Sequence, residues 1–369
     1  MAVIDELLKL LVDQGASDLH LTSGAPPYLR VHGQMKSANY RELSNRDVQG
    51  LMFEILTEKQ KKIFVDKWEL DFAYTIPGLG RFRGNMFMQR KGLGGVFRTI
   101  PEKIQTVRDL SLPQPILDLI DTDRGLILVT GPTGSGKSTT LAALINHINA
   151  TREGHIITIE DPIEFIHGNI KCLVNQRELG SHTKTFASAL KSSLREDPDV
   201  ILVGELRDLD TISLAITAAE TGHLVFGTLH TNNASKTIDR VIDVFPGDQQ
   251  EQIKTMLAES LRGVIAQNLF SRTDKPGRVA AFEILKNTRA VSNLIREGKT
   301  FQLPTLMQTG QKYGMNLFEK SIGDLVKKGI ISKKDSDQFF GYNDTDGVPQ
   351  GGVSSNQPNS GKRSVGNVA

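Results

Sequence analysis

Gly131-Pro132-Thr133-Gly134-Ser135-Gly136-Lys137-Ser138 constrains this chain more than any other stretch. It fits the Gly-x-x-x-x-Gly-Lys-Ser pattern of a phosphate-binding loop in full. The flanking residues fit as well. An apolar strand-like run, 126–130, precedes it, and a helical pattern with Leu141, Leu144, Ile145 and Ile148 on one face follows. Glycines let the backbone curl so that successive amide N–H groups face an anion, and the helix N-terminus adds its positive dipole end. Lys137 is placed to supply a point charge to β- and γ-phosphates, and the Ser138 hydroxyl to bind Mg²⁺. The candidate nucleotide contacts are therefore Gly131, Thr133, Gly134, Ser135, Gly136, Lys137, Ser138 and Thr139, with ATP and Mg²⁺ as the cofactors.

A phosphate loop that hydrolyses needs acids to hold metal and to orient water. The buried-strand run 200–203 ends in Gly204-Glu205, which brings a carboxylate out at the C-terminal edge of the sheet, where open α/β sheets bind ligands. The usual residue there is Asp, so Glu205 is an atypical version, a candidate for metal or water. Glu160-Asp161-Pro162-Ile163-Glu164 follows another strand, and Pro162 restricts Asp161 to extended geometry. Glu164 is the candidate general base or water-positioner. An acid after a strand, taken singly, is more often a helix cap; two at the edge that carries the phosphate loop point to chemistry.

His223 and His230 flank the strand run 224–228. Either alone reads more readily as a satisfied core or strand-end histidine than as a functional one, and no third ligand accompanies them for a metal. His230 lies at the C-terminal end, within reach of a γ-phosphate. His223 lies at the opposite end and is expected to hold the turn after Gly222.

Across the chain of 369 residues, apolar runs at 126–130, 156–160, 171–174, 200–203 and 224–228 alternate with helical patterns. Such near-continuous apolar strands indicate a parallel sheet covered on both faces, an α/β fold. Residues 269–271 and 278–285 read as a hairpin at its edge. Before this unit, 1–107 reads as a smaller α+β domain. It opens with a helix carrying Ile4, Leu7, Leu8, Leu11 and Val12, has strands at 17–21 and 28–31, returns to helix over 48–64 and is strand-rich over 72–98. The connection, marked by Pro101, Pro113 and Pro115, is placed at 108–115. The α/β domain runs over 116–287, a helical part over 288–341, and 342–369, rich in Gly, Ser, Asn and Pro, reads as a disordered tail. No run approaches the roughly 18 apolar residues of a spanning helix, and the acidic and basic opening helix is not a signal peptide. The single cysteine, Cys172, excludes a disulfide framework and a cysteine zinc cage. Lys and Arg number 44 against 42 Asp and Glu, a balance that argues against a nucleic-acid footprint. These features fit a soluble protein of a reducing compartment.

The phosphate loop, the acidic box 159–164, the strand-Gly-Glu of 200–205 and a histidine box at 221–234 occur in that order in the bacterial type II/type IV pilus group of secretion ATPases, which this chain resembles over residues 1 to about 340. Gly15-Ala16-Ser17-Asp18-Leu19-His20-Leu21 is a further shared signature. Within the family the resemblance is to the retraction ATPases of type IV pili, since the longer N-terminal region and four-cysteine zinc motif of the extension enzymes are missing. Ala290-Val291-Ser292-Asn293-Leu294-Ile295-Arg296-Glu297 resembles the retraction motif Ala-Ile-Arg-Asn-Leu-Ile-Arg-Glu, departing at Val291 and at Ser292, where the family has Arg. The resemblance implies a PAS-like N-terminal domain, a RecA-like ATPase domain with nucleotide between the two, and a homohexameric ring. It further implies ATP-driven rotation of an inner-membrane platform protein (PilC-like) that disassembles the pilus for twitching motility, from a cytoplasmic position peripheral to that membrane. On this reading His230 senses the γ-phosphate. A PilU-like accessory retraction ATPase is the alternative within the family, and such a paralogue is also a candidate partner. Outside it the rivals are a nucleic-acid translocase and a nucleotide-gated scaffold that does not hydrolyse.

Between positions 81 and 103 stand Arg81, Arg83, Arg90, Lys91, Arg98 and Lys103 against the single acid Glu102. Arg81 and Arg83, two apart in a strand, project from one face. Guanidinium groups aimed at developing phosphoryl charge are worth about 10³–10⁵ in rate. Arg81 and Arg83, with Arg98, are therefore expected to reach the phosphates of a neighbouring subunit, the alternative being a solvated basic strand.

Overall fold

Apolar spacing at the N-terminus produces α1 (Val3–Asp13), which buries Ile4, Leu7, Leu8 and Leu11. The computed structural model describes residues 2–31, 33–100 and 103–345. In the first domain α1 is followed by β1 (Asp18–Thr22), β2 (Tyr28–Val31), β3 (Gln34–Ser37), α2 (Asn45–Ile55), α3 (Glu58–Lys67), β4 (Glu69–Ile76), β5 (Gly80–Gln89) and β6 (Gly92–Ile100). The strands form one antiparallel sheet in the order β3-β2-β1-β6-β5-β4. The helix expected over 48–64 is two helices. Leu56 adopts extended geometry, and Thr57 then caps α3 by accepting from the Gln60 amide, the exchange of roles a capping box brings about. β3 had no sequence signal because all four of its side chains face solvent.

The second domain contains α4 (Gln114–Ile120), β7 (Gly125–Thr130), α5 (Lys137–Thr151), β8 (Gly154–Glu160), β9 (Cys172–Glu178), α6 (Phe186–Ser193), β10 (Val200–Val203), α7 (Leu209–Glu220), β11 (Leu224–Leu229), α8 (Ala234–Asp243) and α9 (Gln250–Ser260). It continues through β12 (Leu261–Ser271), β13 (Arg278–Lys286), α10 (Arg289–Arg296), α11 (Leu303–Thr309), α12 (Phe318–Lys327) and α13 (Lys333–Thr345). Its sheet has the order β13-β12-β7-β11-β10-β8-β9, parallel throughout except for β13. Every residue of β7, β10 and β11 is buried, as expected of strands covered on both faces. On one face Ile127 and Val129 pack with Leu144 and Ile145 of α5; on the other Leu128 and Val203 pack with Ile212 and Ile216 of α7.

The edge hairpin is longer than the sequence indicated. β12 begins at Leu261, pairing parallel to β7 over 261–266 and antiparallel to β13 over 263–271. The tail expected over 342–369 starts with α13, whose last residues are 342–345, and the remainder lies outside the described residues. Ser292, where the retraction motif has Arg, donates to the Ala258 carbonyl at 2.9 Å and the Asn287 Oδ1 at 3.1 Å, so it fastens α10 to the end of α9.

In-register pairing sets the C-terminal ends of the central strands side by side. Thr130 pairs with Leu229, and Val203 pairs with Gly227 on one side and Ile159 on the other. The phosphate loop, the residues after Val203, the end of β8 and His230 therefore leave the sheet along one edge.

Candidate active site

Between β7 and α5 the loop closes tightly on itself. Gly131 has φ +144°, and a Cβ there would lie 2.3 Å from the Gln267 carbonyl oxygen and 2.7 Å from the Ser135 hydroxyl. Gly136, at φ +87°, is the N-cap of α5. Both conformations belong to glycine. Gln267 is 2% exposed on β12; its Nε2 donates to the Ser135 carbonyl at 2.7 Å, and its Oε1 accepts from Thr140 Oγ1 at 2.7 Å. The loop is thus held from behind by one amide.

A cleft of about 440 Å³ lies in front of the loop, between the two domains. Thr133, Gly134, Gly136, Lys137, Ser138 and Thr139 line it, while Gly131 and Ser135 sit behind, against Gln267. Glu160, Glu164, Glu205 and His230 reach the same cleft from the sheet edge, and Arg83 and Arg98 reach it from the first domain. Lys137 Nζ donates to the carbonyls of Gly131 at 2.7 Å and Pro132 at 3.0 Å. Burial lowers its pKa, against the opposing pull of Glu205 and Glu164.

Glu205 is 20% exposed, and burial alone would raise its pKa. The hydrogen bond and charge of Arg207, 2.6 Å away, and then the nearby His230 override that and hold the carboxyl below the ordinary glutamate range. His230 Nε2 lies 3.5 Å from Glu205 Oε1. The Glu205 segment is tied to the strand before His230, because Thr228 Oγ1 donates to the Gly204 carbonyl and the Leu206 amide donates to the Thr228 carbonyl. Glu160 is the opposite case: burial pushes its pKa up, although Thr158 Oγ1 at 2.6 Å and Gln176 Nε2 at 3.2 Å donate to it. Gln176 also donates to the Phe165 carbonyl and accepts from the His167 amide, so one side chain holds the loop that carries Glu164. The Asp161–Pro162 peptide in that loop is cis.

His223 sits at the other end of β11, where its Nδ1 donates to the Ala218 carbonyl at 3.0 Å and steadies the turn after Gly222. Among the basic residues Arg83 and Arg98 face the cleft of their own chain. Arg98 Nε is held by the buried Asp18 at 2.8 Å, and Arg83 lies 3.7 Å from Asp71. Arg81 is engaged elsewhere: it pairs with Glu178 of its own chain at 2.9 Å, outside the cleft lining. Sequence reasoning missed Gln267, Gln176 and Arg207, and also Arg278, which lines the cleft from β13. Gln267 did leave a signal as a polar residue directly after the buried apolar run of β12.

Residues 109–337 match the type II/IV secretion system protein family. The chain is 53% identical over 333 residues to the type IV pilus retraction ATPase PilT of Pseudomonas aeruginosa, covering 90% of this chain and 96% of that one. To the type IV pilus ATPase PilU of the same organism it is 41% identical, covering 90% and 87% respectively. The crystal structure of the pilus retraction motor PilT with bound ADP superposes with a TM-score of 0.85 at 46% identity, covering 91% of this chain and 96% of that one. The chain belongs to the type II/IV secretion system family of ATPases, in the branch that contains the type IV pilus retraction enzymes.

Proposed function

We propose that this chain is the ATP-hydrolysing motor of type IV pilus retraction, and that its cleft converts nucleotide turnover into movement of one domain against the other. The observation that carries this reading is the convergence of Lys137, Glu164, Glu205 and His230 on one cleft whose opposite wall, with Arg83 and Arg98, belongs to the other domain. In a cleft built from two bodies, the charge lost when a γ-phosphoryl group leaves changes the attraction between them. Higher identity to the retraction motor than to PilU favours the motor over the accessory paralogue.

Loop amides and Lys137 bind the phosphates, and the α5 dipole adds to the attraction. Glu164 orients the attacking water or takes its proton. His230, its Nε2 3.5 Å from Glu205 Oε1, links the terminal phosphate to the strand edge. Magnesium suits the donors present. Ser138 and the ionised Glu205 offer two hard oxygens on the cleft wall, and Mg²⁺ takes its remaining ligands from phosphates and water. The described residues hold no cluster of three His, Cys, Asp or Glu that would cage a metal unaided. Bound there, Mg²⁺ would neutralise charge developing on the phosphoryl oxygens.

The motor is inferred to work as a homohexamer against a PilC-like platform protein at the inner membrane. No helix among the described residues is long and apolar enough to cross a membrane. Glu164→Gln tests the chemistry. Nucleotide binding should stay at the wild-type level while phosphate release falls by about 10²–10⁴-fold. Normal turnover by this variant would remove Glu164 from the mechanism.

A further inference from the structure

We propose that Glu178 is the positioning residue for the Glu164 loop, and that Arg81, by pairing with Glu178 across the domain boundary, lets the first domain switch the catalytic acid in and out of place. The inference rests on the reading of Glu164 given above. Glu178 ends β9 and pairs in register with Glu160, the last residue of β8, so it stands where the acidic box leaves the sheet. Its side chain is 8% exposed, and both oxygens are used. Oε2 accepts from Arg81 Nη2 at 2.9 Å and from the Ile163 amide at 3.1 Å; Oε1 accepts from the Ser181 hydroxyl at 3.1 Å. Ile163 directly precedes Glu164 and is itself buried. One carboxylate oxygen thus joins a guanidinium on β5 of the first domain to the backbone beside the candidate catalytic acid.

Arg81 is 14% exposed, its Nε is buried with no hydrogen-bond partner, and Glu178, bonded through Nη2, is its only ion-pair partner among the described residues. Withdrawing Arg81 would leave the Glu178 carboxylate buried and uncompensated, a state that costs far more than an open surface pair. Glu178 relieves that state by taking up a proton or by turning towards solvent, and turning gives up the Ile163 amide and frees the loop. Domain docking and the placement of Glu164 are therefore one equilibrium: hydrolysis is permitted when the first domain is seated and suppressed when it swings away.

The test uses the full chain, with phosphate release giving kcat and titration of a fluorescent ADP analogue giving Kd. Arg81→Ala and Glu178→Ala should each lower kcat by about 10- to 100-fold, the scale of a misplacement of about 1 Å, while Kd changes little. Arg81→Lys should recover much of the loss, because an ammonium still reaches a carboxylate oxygen. If the Ala variants fail to fold, Arg81→Gln, which removes the charge while filling the site, carries the comparison. Unchanged kcat in either Ala variant, or in Arg81→Gln where those do not fold, overturns the proposal. So does a loss of nucleotide affinity in step with kcat without rescue by Lys, which marks a purely structural pair. Full turnover by Glu164→Gln in the same assay overturns the reading of the site instead.

Discussion

Gln267 and Ser135 meet at 2.7 Å across the back of the phosphate loop, the amide of one donating to the carbonyl of the other. The other end of the same amide accepts from Thr140 in the first turns of α5. Replacing Gln267 by Ala leaves two buried polar groups unpartnered, each costing about 1–3 kcal/mol. The loop then loses the shape that aligns its amides on an anion. Gln267→Ala should weaken binding of a fluorescent ADP analogue by about tenfold, since each 1.4 kcal/mol is a factor of ten. Wild-type affinity in the variant would show that the loop holds its form without this brace.

Arg207 is expected to set the acid limit of turnover. Glu205 is ionised throughout the neutral range because Arg207, then His230, outweigh its burial. With a depressed pKa, Glu205 becomes protonated only as pH falls below the ordinary glutamate range, so the wild type keeps this carboxylate through mildly acidic conditions. Arg207→Ala removes the larger of the stabilising partners and leaves burial to act. The acid limb of the kcat profile should then move to higher pH, while the alkaline limb stays in place. Superimposable acid limbs would separate Glu205 from the rate.

The same residues show what a sequence gives and withholds. Apolar runs such as 200–203, ending in Gly-Glu, place both strand and acid, because burial on two faces leaves no polar interruption. At β12 the polar pair Gln267-Asn268 interrupts the run, so only its last residues stood out as a strand; the residue that hid the strand is the one that braces the phosphate loop. Strand alternation correctly put Arg81 and Arg83 on one face of β5. It could not supply Arg81 with its partner, which lies 97 positions away on another sheet. Direction is local information, carried by a period of two; pairing is set by how two domains dock.

Glu283 should make stability depend on pH in the unusual direction. It is 7% exposed on β13, and its carboxyl accepts from the Ala234 amide at 2.8 Å at the start of α8, the helix that follows His230. Burial pushes its pKa up to about 7, against the pull of the backbone donors. The unfolded chain releases this proton near 4.5. Between pH 4.5 and about 7 the folded state therefore holds more protons than the unfolded one, and stability falls as pH rises through that window, then levels off. Glu283→Gln keeps an oxygen for Ala234 and removes the titration. The variant should melt above the wild type at pH near 8, by up to about 3 kcal/mol in stability, with the gap closing near pH 4.5. Parallel melting curves across the range would show that Glu283 does not titrate between these limits.

Arg83 and Lys137 face one cleft within a single chain, and mixed assemblies distinguish this from a site completed by a neighbour. Arg83→Ala and Lys137→Ala subunits, each inactive alone, can be combined in equal amounts. If each site draws both residues from one chain, every site in a mixed ring lacks one of them and activity stays at background. If Arg83 instead serves the next subunit, a site is intact wherever an Arg83→Ala chain, which keeps Lys137, precedes a Lys137→Ala chain, which keeps Arg83. Random head-to-tail assembly makes that arrangement in about a quarter of the sites. The expected outcome is background phosphate release at every mixing ratio. A maximum near equal proportions would assign Arg83 to the neighbouring subunit's nucleotide.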